Sequence, residues 1–417
     1  MKSPVIPPSS FVDHATLALE PLALSVTPEG STASAVAHQW LHALAWSGQR
    51  YGRAATTRVS QIRHALSAAR INPDPRKIQL QLRSSTVFHS TDRPKFTFLD
   101  IFAGIGGMRL GLMQAHGRCV FSSEWDRHAQ QTYFQNFGER PFGDITKIPL
   151  SAIPDHDLLA AGFPCQPFSQ AGLRLGIDDT RGTLFYTIAQ ILEAKRPKFA
   201  LLENVRGLVT HRHGETLRIV LRTLSEIGYD CNIPAEVIRC GSSRQLQMAA
   251  NEMVLCSCDF GLAQNRRRIF IVLWKRGLIE HFSYPTPCRT PTSIGSILVP
   301  EPDPKYRISD RLWESHQRRK RDNARDGKGF GFGLVTRESP HSNTLSARYY
   351  KDGAEILVRD DPNRNPRKLT PREAARLQGF PENFIISNSA IQAYRQFGNS
   401  VSVPVVASLG KQFLNYF

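Results

Sequence analysis

From Phe96 onward the chain alternates short apolar runs with amphipathic ones, and that alternation limits its possible folds more than any other feature. FTFLDIF reads as a buried strand, AGIGG as a tight loop, and MRLGLMQAHG as a helix ended by glycine. CVFSSEWD is the next strand, and HDLLAAG a third that runs straight into FPCQPFS. RGTLFYTIAQILEAKR reads as a helix, KFALLENV as a strand, GETLRIVLRTLSEIG as a helix and RRIFIVLW as a later strand. Strands separated by helices return to a mostly parallel sheet covered on both faces, an α/β architecture. In such a sheet ligands bind beyond the carboxyl ends of the strands.

The flanks differ from this middle part. Residues 1–93 open on a Pro/Ser-rich leader and then carry an apolar stretch, SAVAHQWLHALAW, and a basic helical one, TRVSQIRHALSAAR, broken by INPDP. They read as an N-terminal extension, either a small helical module or a partly ordered arm. The sheet occupies 94–285. Prolines, glycines and arginines then take over, and RRKRDNARDGKGFGFG and NTLSARYYKDG show no helical period, so 286–380 reads as a smaller, loop-rich basic domain. Residues 381–417 end in an apolar helix that returns to the sheet domain.

Composition narrows the partners. Fifty-three Lys and Arg against 36 Asp and Glu give a net charge of +17, which favours polyanions, nucleic acid above all. No apolar run is long enough to span a membrane. The seven cysteines lack framework spacing and point to a reducing, cytoplasmic setting. Cys256 and Cys258 form an isolated C-x-C, and Cys240 and Cys288 are irregularly placed, so spacing alone argues for no metal site.

Two groups of residues carry chemistry. Gly104, Gly106 and Gly107 lie between a strand and a helix, where the backbone can approach a ligand closely. Glu124 follows about 20 residues later at the next strand end, where a carboxylate accepts ribose hydroxyls. Trp125 beside it is placed to cover an adenine face. The loop departs from G-x-G-x-x-G, which favours an adenosine cofactor other than NAD. Cys165 and Glu203 follow two further strands on the same sheet edge, a nucleophile and an acid/base candidate. Pro164 and Pro167 stiffen the turn around the thiol.

FLDIFAGIGG, EWD, GDIT, GFPCQPFS, RGTLF, ENV, QNRRRIF and QFGNSV occur in this order, and together they closely resemble the successive motifs of the cytosine-5 DNA methyltransferases over roughly 96–417. The resemblance implies a Rossmann-like, S-adenosyl-L-methionine-dependent methyltransferase domain at 94–285 and a target-recognition domain at 286–380. It implies that Cys165 attacks carbon-6 of a flipped-out cytosine, that Glu203 holds ring nitrogen-3, and that Arg266 and Arg268 support them. The cofactor would be held by Phe102, Ala103, Gly104, Ile105 and Gly107, by Glu124 and Trp125, by Asp144 and Ile145, and by Pro164, Leu184, Asn399 and Ser400. Gln264, Arg348, Tyr349 and Lys351 would face double-stranded DNA. GKGFGFG and NTLSARYYKDGAEIL resemble recognition segments of Dcm-like and HpaII-like enzymes, whose sites have a CC…GG core.

The reading that follows is a monomeric bacterial modification enzyme that protects DNA from a cognate restriction endonuclease. An RNA (tRNA) cytosine-5 methyltransferase and a catalytically inactive DNA-binding regulator are the alternatives. One stretch departs from the family pattern. Residues 238–258 look longer than the usual link into QNRRRIF, and the extra length forms either a surface insertion or one that displaces Gln264 and the arginines.

Overall fold

The structure is a computed structural model describing residues 10–46, 48, 56–163, 184–288 and 290–417. Four helices come first: α1 (Ser10–Leu24), α2 (Ala33–Ala45), α3 (Thr56–Ala68) and α4 (Pro75–Ser85). Asp74 caps α4, accepting the Arg76 and Lys77 N–H groups, with Pro75 in the first turn. Val12, Leu19, Trp40, Ile62, Leu66, Ile78 and Leu82 close their interior, and this interior is continuous with one face of the sheet.

The sheet domain runs β1 (Phe96–Ile101), α5 (Gly107–Gln114), β2 (Gly117–Ser123), α6 (Arg127–Phe137), β3 (Leu158–Gly162), α7 (Leu184–Lys195), β4 (Phe199–Val205), α8 (Glu215–Glu226), β5 (Tyr229–Asp230), α9 (Ala235–Cys240), α10 (Ser243–Ala250), β6 (Val254–Cys256) and β7 (Arg267–Lys275). The strand order is β2-β1-β3-β4-β7-β5, with β6 also paired to β7. β2, β1, β3 and β4 are parallel, and β7 closes the sheet antiparallel to β4. The parallel strands are almost continuously buried, as a sheet covered on both faces requires. Helix α5 stops at Gln114, earlier than expected, and the left-handed residue that ends it is His116 (φ 60°); Gly117 already belongs to β2.

The 238–258 segment does not push the following motif aside. Its first part folds as α9 and α10, the latter closed by a Ser242/Gln245 capping box. Its end, β6, pairs with β7, Leu255 opposite Arg268 and Cys256 opposite Arg267. The extra chain therefore becomes a strand-edge addition.

The later part of the chain holds α11 (Asp310–Arg325), β8 (Leu334–Val335), β9 (Leu357–Val358), α12 (Pro371–Leu377), α13 (Ala390–Asn399) and α14 (Val403–Phe413). Helix α11 corrects the expectation of a helix-free basic segment. Ser309 caps it, yet His316 is its only fully buried residue and its remaining apolar contacts are Leu312 and Trp313. An apolar stripe that thin leaves no readable period in the sequence. Helix α14 lies on the second sheet face, where Val405, Val406, Leu409 and Phe413 meet Phe98, Leu158, Phe199 and Leu201. Among the described residues no helix is long and apolar enough to cross a membrane.

Candidate active site

One cavity of about 680 Å³ opens at the carboxyl ends of β1, β2, β3 and β4, where ligands of an open α/β sheet bind. Phe102, Ala103, Gly104, Ile105 and Gly107 line it from the loop after β1, Glu124 and Trp125 from the end of β2, and Asp144 and Ile145 from the loop after α6. Leu184, Asn399 and Ser400 complete it, together with Glu203, Arg266 and Arg268. All of these sequence-expected residues thus share one space. Pro164 and Cys165 lie outside the described residues, as does Pro167.

The glycine loop is built for close approach. A Cβ on Gly107 would stand 2.5 Å from Ser400 Oγ, so only glycine lets the C-terminal turn close over the loop. Phe102 adopts φ 57°, a left-handed conformation costing a residue with a Cβ about 1–2 kcal/mol, and it sits on the cavity wall. Glu124 Oε2 accepts the Gly104 N–H and Oε1 the Asp126 N–H, both at 2.8 Å. Burial raises its pKa while those N–H bonds pull it back. Each oxygen keeps a further lone pair for a hydroxyl donor. Trp125 is 76% exposed at the mouth, free to swing over a flat ring. A carboxylate with spare acceptor capacity, a backbone cradle and an aromatic at the rim fit an adenosine cofactor.

Glu203 lies beside this cradle. β3 and β4 are in register there, Gly162 opposite Glu203. Arg268 Nε stands 3.2 Å from Glu203 Oε1 across the β4–β7 pair. Burial raises the Glu203 pKa, opposed by Arg268 and Arg266. The next residue contributes something the sequence did not reveal. Asn204 Nδ2 donates to the Phe163 carbonyl at 3.0 Å while its Oδ1 accepts the Val205 N–H at 2.8 Å. Its amide therefore fixes the backbone two residues before Cys165.

A profile of the C-5 cytosine-specific DNA methylases matches residues 96–415. The chain belongs to that family. The methylase is 52% identical to type II methyltransferase M1.ScrFI of Lactococcus lactis subsp. cremoris over 331 residues, covering 78% of this chain and 80% of that one. It is also 52% identical to M.NlaX of Neisseria lactamica over 323 residues, covering 76% and 96%. A crystal structure of a Spodoptera frugiperda DNMT2 variant shares the fold, with a TM-score of 0.58 at 21% identity, over 76% of this chain and 98% of that one. The methylase uses S-adenosyl-L-methionine as its methyl donor, and the adenosine-type cradle around Glu124 accords with it.

Three expected site residues of the methylase have other duties. Gln264 is fully buried, its Nε2 donating to Leu377 O at 3.0 Å and its Oε1 accepting the Leu345 N–H at 2.8 Å. Tyr349 is equally buried, its hydroxyl donating to Ile356 O and accepting the Leu369 N–H, both at 2.7 Å. Neither side chain is exposed for an outside partner: Gln264 ties the start of β7 to the segments at Leu345 and Leu377, and Tyr349 braces Ile356 against Leu369 within the later part of the chain. Arg266 donates to Leu345 O at 3.0 Å, Gly398 O at 3.2 Å and Ser400 O at 2.8 Å. Burial, then Arg268, lowers its pKa to about 9. It anchors the cavity wall through these carbonyls and adds to the positive field on Glu203, while Arg268 makes the direct ion pair. Arg348 and Lys351 are exposed.

Polar cavity residues that the sequence reading passed over include Asp126, Gln392, Arg395 and Gln396. Arg395, exposed on α13, adds positive charge at the rim. The signal for it was present in QAYRQFGN, directly before the matching GNSV, but the helix reads there simply as amphipathic.

Proposed function

We propose that the methylase modifies one cytosine within a specific double-stranded DNA site with a CC…GG core, acting on a base turned out of the helix, as the modification half of a restriction system. The observation that carries this reading is the shared cavity: the Glu203–Arg268 pair lies inside the same enclosed space as the cofactor loop. Glu203 is only 9% exposed, so a base that remains stacked in a duplex cannot meet it. The type II designation of both relatives supports the restriction context.

In this reading the Cys165 thiolate adds to carbon-6 of the cytosine, and the displaced electron pair makes carbon-5 nucleophilic. Glu203, with its pKa raised by burial, bonds nitrogen-3 and the exocyclic amine as charge builds there. Arg268 keeps the carboxyl oriented, and Asn204 holds the chain leading to the thiol. When bound, S-adenosyl-L-methionine supplies an electrophilic methyl group. Loss of the carbon-5 proton to solvent then expels Cys165 as thiolate and restores the ring. Phe102, Glu124 and Asp144 would hold the cofactor, and Arg348 and Lys351 would anchor phosphates. The enzyme acts as a monomer in the cytoplasm.

The test is incubation of the full chain with labelled S-adenosyl-L-methionine and plasmid DNA, followed by bisulfite mapping. Methylation at sites sharing a CC…GG core is expected, and Cys165→Ala should abolish turnover while retaining DNA binding. Methylation scattered without a common core would remove the specificity, and labelling of tRNA in preference to duplex would remove the substrate assignment.

A further inference from the structure

Away from the cavity, the end of β6 gathers thiols that methyl transfer does not use. Cys256 closes the strand opposite Arg267, and the chain then bends through Ser257. Ser257 anchors the bend: its N–H donates to Arg266 O at 3.0 Å, and its buried hydroxyl bonds Arg266 O at 3.2 Å and Ser402 Oγ at 2.6 Å. The bend brings the sulfurs of Cys256 and Cys258 to 2.6 Å from each other. An Asp259 carboxylate oxygen completes a set of three donor atoms lying within 4.8 Å of one another. A third thiol is tied to the same place. The Cys288 N–H donates to Asp259 O at 2.9 Å, and its sulfur lies 3.2 Å from that oxygen. Sequence spacing concealed the group, because 30 residues separate Cys258 from Cys288.

We propose that Cys256, Cys258 and Asp259, with Cys288 as fourth donor, form a binding site for one thiophilic divalent cation of the zinc class. Three thiols and a carboxylate are a donor set that prefers such a cation to magnesium or calcium. Side-chain rotation at half-buried Cys258 opens the sulfur pair to admit it. The ion is structural, since four protein donors leave no open position. It would clasp the bend beside Arg266 to the point where the chain leaves the sheet domain for the recognition segment.

Cobalt(II) is the probe. The full chain, reduced and stripped with a chelator, is titrated with Co²⁺ while the sulfur-to-cobalt charge-transfer band is followed. One equivalent should saturate the band, and Zn²⁺ should displace it. Cys256→Ser/Cys258→Ser should lose the band, Cys288→Ser should weaken it, and Cys240→Ser, altering an exposed thiol outside the group, should leave it intact. Asp259→Asn keeps every thiol and should loosen Co²⁺ by about tenfold or more. The site is overturned by a missing band in the folded wild type, by a band that survives the double substitution, or by one unchanged in Cys288→Ser. It is equally overturned if protein prepared without reductant, then denatured with a chelator, lacks two free thiols at Cys256 and Cys258, which would make the pair a disulfide.

Discussion

Asn204 shows how a single amide can hold the chain that leads to a proposed nucleophile. It spans from β4 to the Phe163 carbonyl on the neighbouring strand end, and the chain reaches Cys165 two residues later. Asn204→Ala removes that donor and frees the strand end. Displacement of about 1 Å at a reacting atom can cost 10²-fold in rate. Asn204→Ala should therefore lower kcat by about 10²-fold while the cofactor Kd, measured by equilibrium binding, stays unchanged. A kcat equal to wild type would deny it the positioning role, and rescue by Asn204→Gln in place of Ala would show that the amide matters. The place of Glu203 in the cavity could be read from the sequence because it ends a strand inside a motif. The Asn204 bond could not, because its acceptor is 41 residues away.

At the scale of elements, the N-terminal helices are fastened to the sheet domain through α2. The His38 ring stacks on Phe134 of α6 at 4.9 Å, and its Nδ1 accepts the Arg140 N–H at 3.0 Å. Burial, aided by His42 and Arg140, lowers its pKa from the usual 6.5 to about 3. The folded value lies below the unfolded one, so the unfolded chain binds the proton first. The stability that neutral His38 contributes is complete above 6.5 and lost as pH falls from there towards about 3, at ~1.4 kcal/mol per pH unit. His38→Phe keeps the stack and removes the titration, so its Tm should fall less steeply with acid across that window. Identical Tm–pH curves would exclude the ring as the acid-sensitive contact.

The same α2 face illustrates what pattern reading delivers. Helices and strands with a strong apolar period were found close to their true bounds, whereas α11, with its thin stripe, was not. A second fastening was equally hidden: a Cβ at Gly143 would lie 1.7 Å from the Gly30 carbonyl oxygen, so the loop carrying Asp144 is pressed against the N-terminal helices. No local signal marks such a contact across more than 100 residues.

Across the whole molecule, a net charge of +17 implies that DNA binding is strongly electrostatic. Arg348 and Lys351 are exposed on either side of buried Tyr349, so the core residue between them presents both cations outward. Arg348→Ala and Lys351→Ala should each reduce the slope of log affinity against log salt by about 1. A slope unchanged in both would take them out of the DNA interface. Their neighbours Gln264 and Tyr349 belonged to recognisable motifs, yet motif membership does not tell an outward side chain from one turned inward. Their partners at Leu345, Leu377 and Leu369 appear only when the chain is folded.

The three carbonyls that Arg266 gathers, at Leu345, Gly398 and Ser400, come from segments synthesised long after the glycine loop, Cys165 and Glu203. A nascent chain therefore holds β1 to β4 and the glycine loop well before it holds the turn that closes over Gly107. The pocket becomes complete only when the last two helices have emerged from the ribosome. A half-translated methylase then carries the strands that frame the cavity without the segments that enclose it.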